Sequence, residues 1–269
     1  MIITNEDQEE LLTTTNPFYR EKGYALFPDP VVDLAKVEAA VEGMDAVRRG
    51  EYDTGQSPVE SPWKPGDDPN ALCKIEQPQF ANKAILDLIS SKEIGERVAE
   101  ATGAERVQVW WVQLLYKPPT PGNLKAATRV GWHQDWNYWQ KTWEEGSELL
   151  TAWFALSDVR EESGPMKFVE GSHRWGHLEG SDFYSQDLTL ADLKLPEENP
   201  KEVSAILKPG GMSLHHCLTL HASSQNVSNE PRRSFAIHLR TDKSALRKNR
   251  EGSLGNFVED LSVCPVIYG

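Results

Sequence analysis

The second half of the chain alternates short β-prone segments with turns that contain glycine or proline. The run 106–116 is dense in valine, tryptophan, leucine and tyrosine and ends at Pro118-Pro119, which is typical of a buried strand. Turn sequences such as Ser163-Gly164-Pro165 separate the later segments. Short strands joined by such turns predict a jelly roll or barrel. The further predicted strands are 149–156, 166–170, 202–207, 212–216 and 234–240.

Apolar residues spaced three and four apart predict helices before these strands. One helix is predicted over 32–49, and a second helical region over 84–101 has a break at Ser90-Ser91, where serine can cap a new helix. No internal repeat or composition shift marks a domain boundary. We therefore predict a mainly β, α+β fold formed by one domain over 1–269. Its N-terminal helical part, about 1–104, packs on one side of a jelly-roll core, about 105–242.

Composition limits the classes of partner. The 269 residues carry a formal net charge of −13, which disfavours nucleic acid and anionic membrane as main partners. No run reaches the length of a membrane span, and residues 1–22 lack the apolar centre of a signal peptide. Three widely spaced cysteines, Cys73, Cys217 and Cys264, indicate neither a disulfide framework nor a CxxC site, so a cytoplasmic location is expected. The sequence indicates no oligomeric state.

An imidazole and a carboxylate lie two residues apart, at His133 and Asp135. On an extended segment, side chains with this spacing point to the same side. His221 is the best third ligand, because two imidazoles and one carboxylate form the facial triad of non-haem Fe(II) oxygenases. On the next predicted strand, Arg232 provides a guanidinium that can pair with a carboxylate. Arg233 would point to the opposite face of a regular strand, but a one-residue irregularity would exchange the two roles, so the sequence leaves open which arginine binds the co-substrate. An isolated His-x-Asp occurs by chance, but its combination with His221 and Arg232 predicts a metal site with a neighbouring carboxylate-binding arginine.

Nine tryptophans are present, and seven of them lie between positions 110 and 153. The simplest interpretation is core packing, which we expect for about half of them. Trp132, Trp136 and Trp139 flank the predicted ligands, so we expect at least one of them to face a cavity for a small-molecule substrate and to supply part of its surface. For the remaining histidines we predict structural or surface roles; these are His173, His177, His215, His216 and His238.

With these motifs in place, the chain resembles the phytanoyl-CoA dioxygenase family of Fe(II)- and 2-oxoglutarate-dependent oxygenases, from about residue 24 to 242. Several ordered motifs carry the resemblance. They are QLLYKPP at 113–119, WHQD at 132–135, ALSDV at 155–159 followed by ESGP at 162–165 and GSH at 171–173, and HASSQN at 221–226 followed by PRR at 231–233. The resemblance implies a double-stranded β-helix, also called a cupin-like jelly roll, with helices packed on one side.

The same resemblance implies residue roles. Iron would be bound by His133, Asp135 and His221. The distal carboxylate of the co-substrate 2-oxoglutarate would pair with Arg232 and contact Ser223. Two further residues match co-substrate contacts of the family, although Trp153 is slightly offset relative to His133; they are Gln113 and Trp153.

The implied activity is hydroxylation, or a related oxidation, of a small organic substrate with dioxygen and decarboxylation of 2-oxoglutarate to succinate. Halogenating relatives replace the metal carboxylate with a small residue, whereas Asp135 is present here. Two alternatives stay open. A zinc hydrolase can use the same three ligands, although it has no need of Arg232, and a cupin-like binding module would keep the shape without turnover.

Overall fold

The computed structural model describes residues 17–122, 128–180, 182–185, 189–249 and 254–269. The α-helices are α1 (Pro17–Lys22), α2 (Leu34–Arg49), α3 (Lys83–Ile89), α4 (Lys92–Thr102) and α5 (Trp136–Trp139). The strands are β1 (Tyr24–Phe27), β2 (Cys73–Glu76), β3 (Val107–Lys117), β4 (Val130–His133), β5 (Leu149–Ala155), β6 (Met166–Val169), β7 (Glu202–Ser204), β8 (Met212–His216), β9 (His221–Ser223), β10 (Arg232–Thr241) and β11 (Val266–Tyr268).

The strands form two antiparallel sheets. The larger sheet has the order β1-β8-β5-β10-β3-β11, with β2 also paired to β3, and the smaller has the order β4-β9-β6-β7. The sheets pack face to face, because Trp153 and Leu115 of the larger sheet share one apolar cluster with Met166 and Phe168 of the smaller. This arrangement is the predicted double-stranded β-helix.

The outer face of the larger sheet is covered by helices α2, α3 and α4. Met44, Ile85 and Val98 from these helices lie in one core cluster with Leu114 of β3 and Phe154 of β5. Full burial of side chains of this size contributes about 1.5–3 kcal/mol each. The helices therefore pack on one side of the sheet, as predicted, and leave the opposite face free to line a cavity between the sheets.

Local capping sets the ends of these helices. The Asp33 carboxylate accepts a hydrogen bond from the backbone N–H of Ala35, so α2 begins at Leu34. The helix ends at Gly50, whose φ of 80° is left-handed and favours glycine. The predicted helices over 32–49 and 84–101 are confirmed, including the break between α3 and α4.

The predicted strands are confirmed, with different lengths. Strand β7 ends at Ser204, and further along only an isolated bridge joins Val159 to Leu207. The sequence did not predict β1 and β2, which lie in the part expected to be helical, β9, which carries His221, or β11, which lies beyond position 242. The division of the chain into domains stays a prediction. Among the described helices, none is both long and apolar enough to cross a membrane. Most of the segment 1–22 lies outside the described residues.

Candidate metal centre

The three predicted ligands meet at the ends of two paired strands. His133 is the last residue of β4 and lies opposite His221, the first residue of β9. The sequence suggested that Asp135 lies on an extended segment, but this is wrong. Its φ of −58° and ψ of −31° are helical and place it at the start of α5. One ligand atom from each residue still lies within 4.8 Å of the other two, so all three can contact one ion.

Backbone carbonyls fix which imidazole nitrogens are free. Nδ1 of His133 lies 2.8 Å from the carbonyl oxygen of Gly131, and Nδ1 of His221 lies 2.8 Å from that of Thr219. Because a carbonyl only accepts, each Nδ1 carries the proton and each Nε2 keeps its lone pair. The two Nε2 atoms lie 3.9 and 3.7 Å from Oδ1 of Asp135.

Burial determines the charges of these ligands. It lowers the pKa of His133 and of His221, so both imidazoles are neutral at pH 7. Burial opposes ionisation of Asp135, but the imidazoles of His221 and His215 outweigh it and hold the pKa of this carboxyl well below its usual value. Two neutral nitrogens and one carboxylate oxygen form a donor set that suits Fe(II).

The second oxygen of Asp135 is held by protein groups. Thr151 Oγ1 donates to Asp135 Oδ2 at 2.7 Å and lies 2.8 Å from Nδ1 of His238. Since the single hydroxyl proton goes to the carboxylate, His238 must donate to Thr151. His215 Nε2 lies 3.3 Å from the same Oδ2. These contacts leave Oδ1 of Asp135 facing the imidazoles of His133 and His221. They also place His215 and His238 beside the metal centre, a position that was not predicted from the sequence.

A cavity of about 350 Å³ opens at the three ligands. All four residues predicted to contact 2-oxoglutarate line it together with the ligands; they are Gln113, Trp153, Ser223 and Arg232. The structure thus brings the seven predicted site residues to one cavity.

Arg232 and Arg233 point to opposite faces of β10. Arg232 is 1% exposed, its guanidinium carbon lies 4.9 Å from the centre of the Trp153 ring, and its Nη1 donates to the Gly164 carbonyl at 2.7 Å. Burial lowers the pKa of Arg232 to about 9, which leaves it protonated at neutral pH. Arg233 instead donates to Asp45 at 3.1 Å on the helical side of the sheet. Only Arg232 faces the cavity.

Lys117, which the sequence analysis assigned no role, lies beside Arg232. The two residues are direct partners across β3 and β10, and Lys117 is 0% exposed. Its Nζ donates to Ser223 Oγ at 2.8 Å and to the Ser224 carbonyl. Burial, together with the charge of Arg232, lowers the pKa of Lys117 well below its usual value. The sequence did contain a signal for this residue, because a lysine at the end of a predicted buried strand, just before two prolines, is unusual and needs a polar partner.

A polar pair lies elsewhere on the cavity wall. Lys74 Nζ is 3.2 Å from Glu76 Oε1 and 4.4 Å from the centre of the Phe183 ring. Glu76 also accepts from Trp111 Nε1 at 2.6 Å. Both charged residues lie on β2, a strand that the sequence did not predict, so neither was expected at this site.

The aromatic lining of the cavity includes one of the three tryptophans expected there. Trp139 lines the cavity, with Trp111, Tyr138, Phe183 and Tyr184. Trp132 faces away from the cavity because it alternates with His133 on β4, and it packs against Val169 and Leu220. Trp136 packs with Leu149 and Cys217. At least one of Trp132, Trp136 and Trp139 was expected to face the cavity; Trp139 lines it, and core packing explains the other two.

The class of protein follows from the fold. A double-stranded β-helix with two imidazoles and one carboxylate turned into its cavity is the arrangement of the non-haem iron oxygenases that use 2-oxoglutarate. The chain belongs to the phytanoyl-CoA dioxygenase (PhyH) family, whose model matches residues 19–234. The predicted family is confirmed, and with it the Fe(II)- and 2-oxoglutarate-dependent dioxygenase class; the zinc hydrolase and the non-catalytic module are not favoured.

Relatives and solved structures agree with this assignment. The chain is 27% identical over 178 residues to a protein described as probable alpha-ketoglutarate-dependent hypophosphite dioxygenase of Stutzerimonas stutzeri, covering 65% of this chain and 59% of that protein. It is 25% identical to the ectoine dioxygenase of Bordetella parapertussis, covering 93% and 78% of the two chains. The crystal structure of the epimerase SnoN from nogalamycin biosynthesis superposes with a TM-score of 0.68 at 22% identity, covering 91% of this chain and 87% of that one, which shows the shared fold.

Proposed function

We propose that the protein hydroxylates, or otherwise oxidises, a small organic molecule held in the cavity beside His133, Asp135 and His221, and that these three residues bind Fe(II). The observation that carries this proposal is that their ligand atoms converge in one cavity, which is also lined by the guanidinium of Arg232. Bound iron supplies activation of dioxygen coupled to decarboxylation of 2-oxoglutarate to succinate.

The protein residues have separate tasks in this proposal. Arg232 and Ser223 bind the distal carboxylate of 2-oxoglutarate, because a guanidinium and a hydroxyl both donate to it. Gln113 and Trp153 form the adjacent wall. Thr151 holds the outer oxygen of Asp135, so that the inner oxygen stays directed at the metal. The aromatic rings of Trp139 and Phe183, which line the cavity beside the three ligands, limit access of water to the reacting atoms.

The substrate region is proposed to be the part of the cavity lined by Lys74, Glu76, Trp139, Phe183 and Tyr184. Its aromatic rings and the Lys74–Glu76 pair fit a small molecule with an apolar body and at least one polar group. The relatives above are named for hypophosphite and ectoine, and the volume here accommodates molecules of modest size. We place the protein in the cytoplasm, supported by three free, buried cysteines.

Iron titration under argon tests the proposed function. Adding 2-oxoglutarate to the Fe(II)-loaded protein should produce a visible metal-to-ligand charge-transfer band, and Asp135→Ala should abolish it. Absence of the band in the wild-type protein would contradict the proposal. A screen for metabolites that stimulate succinate release then identifies the substrate.

A further inference from the structure

A buried lysine amine and a buried guanidinium lie next to each other at the Ser223 end of the cavity. Lys117 and Arg232 are paired across β3 and β10 and are 0% and 1% exposed. Within the described part of the chain, their hydrogen-bond acceptors are oxygens of Gly164, Ser223 and Ser224, none of which is a carboxylate. Nε of Arg232 has no partner there. Because the buried guanidinium of Arg232 has no counter-charge among these acceptors, and such a charge is costly, this end of the cavity is suited to an anion.

The contact between Lys117 and Ser223 determines where the serine hydroxyl can point. A hydroxyl has one proton and two lone pairs. Lys117 Nζ donates to Ser223 Oγ at 2.8 Å and so occupies one lone pair. The serine proton is left to donate to another acceptor, and Ser223 lines the cavity. The second donation, to the Ser224 carbonyl, holds the backbone that follows β9.

We propose that Lys117 is a positioning residue for the co-substrate: it orients the Ser223 hydroxyl so that this group donates to the distal carboxylate of 2-oxoglutarate. The inference rests on the proposed function, which places that carboxylate between Arg232 and Ser223. Ser223 and Arg232 belong to the cavity lining and Lys117 lies behind them. Lys117 therefore acts on the co-substrate through Ser223.

A purely structural role makes a different prediction. Lys117 joins the end of β3 to the segment after β9, so its loss could weaken the fold and lower every function equally. A positioning role instead predicts an effect that depends on the presence of the Ser223 hydroxyl. A double-mutant cycle separates the two, because it measures the coupling between two side chains.

The cycle compares the wild-type protein, Lys117→Met, Ser223→Ala and the double variant. 2-Oxoglutarate is titrated into each Fe(II)-loaded protein under argon, and the charge-transfer band reports the dissociation constant. Each single variant should bind about tenfold more weakly, the effect of losing one hydrogen bond. The double variant should be within about twofold of Ser223→Ala. Lys208→Met removes an exposed lysine paired with Asp29 and should bind as wild type does.

Two results overturn the proposal for Lys117. One is unchanged affinity in Lys117→Met, and the other is an equal loss in the presence and absence of the Ser223 hydroxyl. Circular dichroism and bound iron are measured for every variant, and Lys117→Gln replaces Met in the cycle if Lys117→Met does not fold. A wild-type protein that forms no band with 2-oxoglutarate overturns the proposed function as well, whereas a normal wild-type band with no coupling overturns the role of Lys117 alone.

Discussion

At the scale of single residues, Thr151 joins the proposed metal ligand Asp135 to His238 through one hydroxyl. We expect Thr151→Val to leave a buried carboxylate oxygen and a buried imidazole N–H without their partner, at a cost of about 1–3 kcal/mol in unfolding free energy. Iron affinity should fall about 10- to 100-fold, as is usual when a group that orients a ligand is lost. Urea denaturation and iron titration measure the two effects.

Thr151→Ser is the matched control for that change, because it keeps the hydroxyl. It should retain iron affinity within a few-fold of the wild-type value. An equal loss of iron affinity in Thr151→Ser and Thr151→Val would show that the methyl group matters and the hydrogen bonds of the hydroxyl do not.

Arg232 and Arg233 provide a second matched pair. Arg232→Ala should weaken 2-oxoglutarate binding by about 10- to 150-fold, because a hydrogen-bonded charge pair contributes roughly 1.5–3 kcal/mol. Arg233→Ala removes the ion pair with Asp45 on the other face and should leave the dissociation constant for 2-oxoglutarate unchanged. The charge-transfer titration compares them. The reverse order of effects would assign the co-substrate to Arg233.

Most of the proposed iron and co-substrate residues could be predicted from the sequence, because they lie in motifs with local spacing. Strand alternation also separated Arg232 from Arg233 correctly. His215, His238 and Thr151 were not predicted to lie near Asp135, since their positions depend on how β5, β8 and β10 are ordered in the sheet. Sequence spacing carries no such information.

At the scale of elements, the segment 182–185 lies over the metal centre and is packed against Gly131. The Gly131 N–H donates to the Phe183 carbonyl at 2.9 Å, and the Phe183 ring lies 5.2 Å from the His133 ring. A Cβ on residue 131 would lie 2.5 Å from the carbonyl oxygens of both Asp182 and Ser185. Because those atoms are backbone, any larger residue must displace the segment.

Gly131→Ala should therefore move Phe183 away from His133. We expect a loss of about 1–3 kcal/mol in unfolding free energy, as for other overpacked sites. Water access should increase, so more 2-oxoglutarate should be consumed per substrate oxidised. Denaturation and the ratio of succinate to oxidised product measure these effects, and wild-type values for both would refute the packing argument.

The elements differ in how well the sequence predicts them. Strands β3, β5 and β10 are long and rich in β-prone side chains, so their local preferences suffice. Strands β1, β2 and β11 have three or four residues and form because the edges of the larger sheet offer partners. The start of α5 at Asp135 was missed because one helical turn leaves no detectable period.

At the scale of the whole molecule, the helices and the larger sheet share one core. Residues of α2, α3 and α4 lie in the same buried cluster as residues of β3, β5, β8 and β10. The proposed division near residue 104 therefore separates two parts that bury their apolar surfaces on each other. Neither part can keep its core covered without the other, which supports the expectation of a single domain.

The buried His238 and the half-buried His216 make the stability of this domain depend on pH. Burial lowers the pKa of His216, and that of His238, from 6.5 to about 4. Between pH 6.5 and 4 the unfolded chain binds protons at these two histidines that the folded chain does not. Their contribution to the free energy of unfolding is therefore fully present above pH 6.5 and is lost as the pH decreases towards 4. Each histidine should contribute up to about 3 kcal/mol of this loss. Urea denaturation of the iron-free protein from pH 7 to 4 measures it, and His216→Asn should make the dependence shallower; an unchanged slope would mean that His216 is protonated in the folded state.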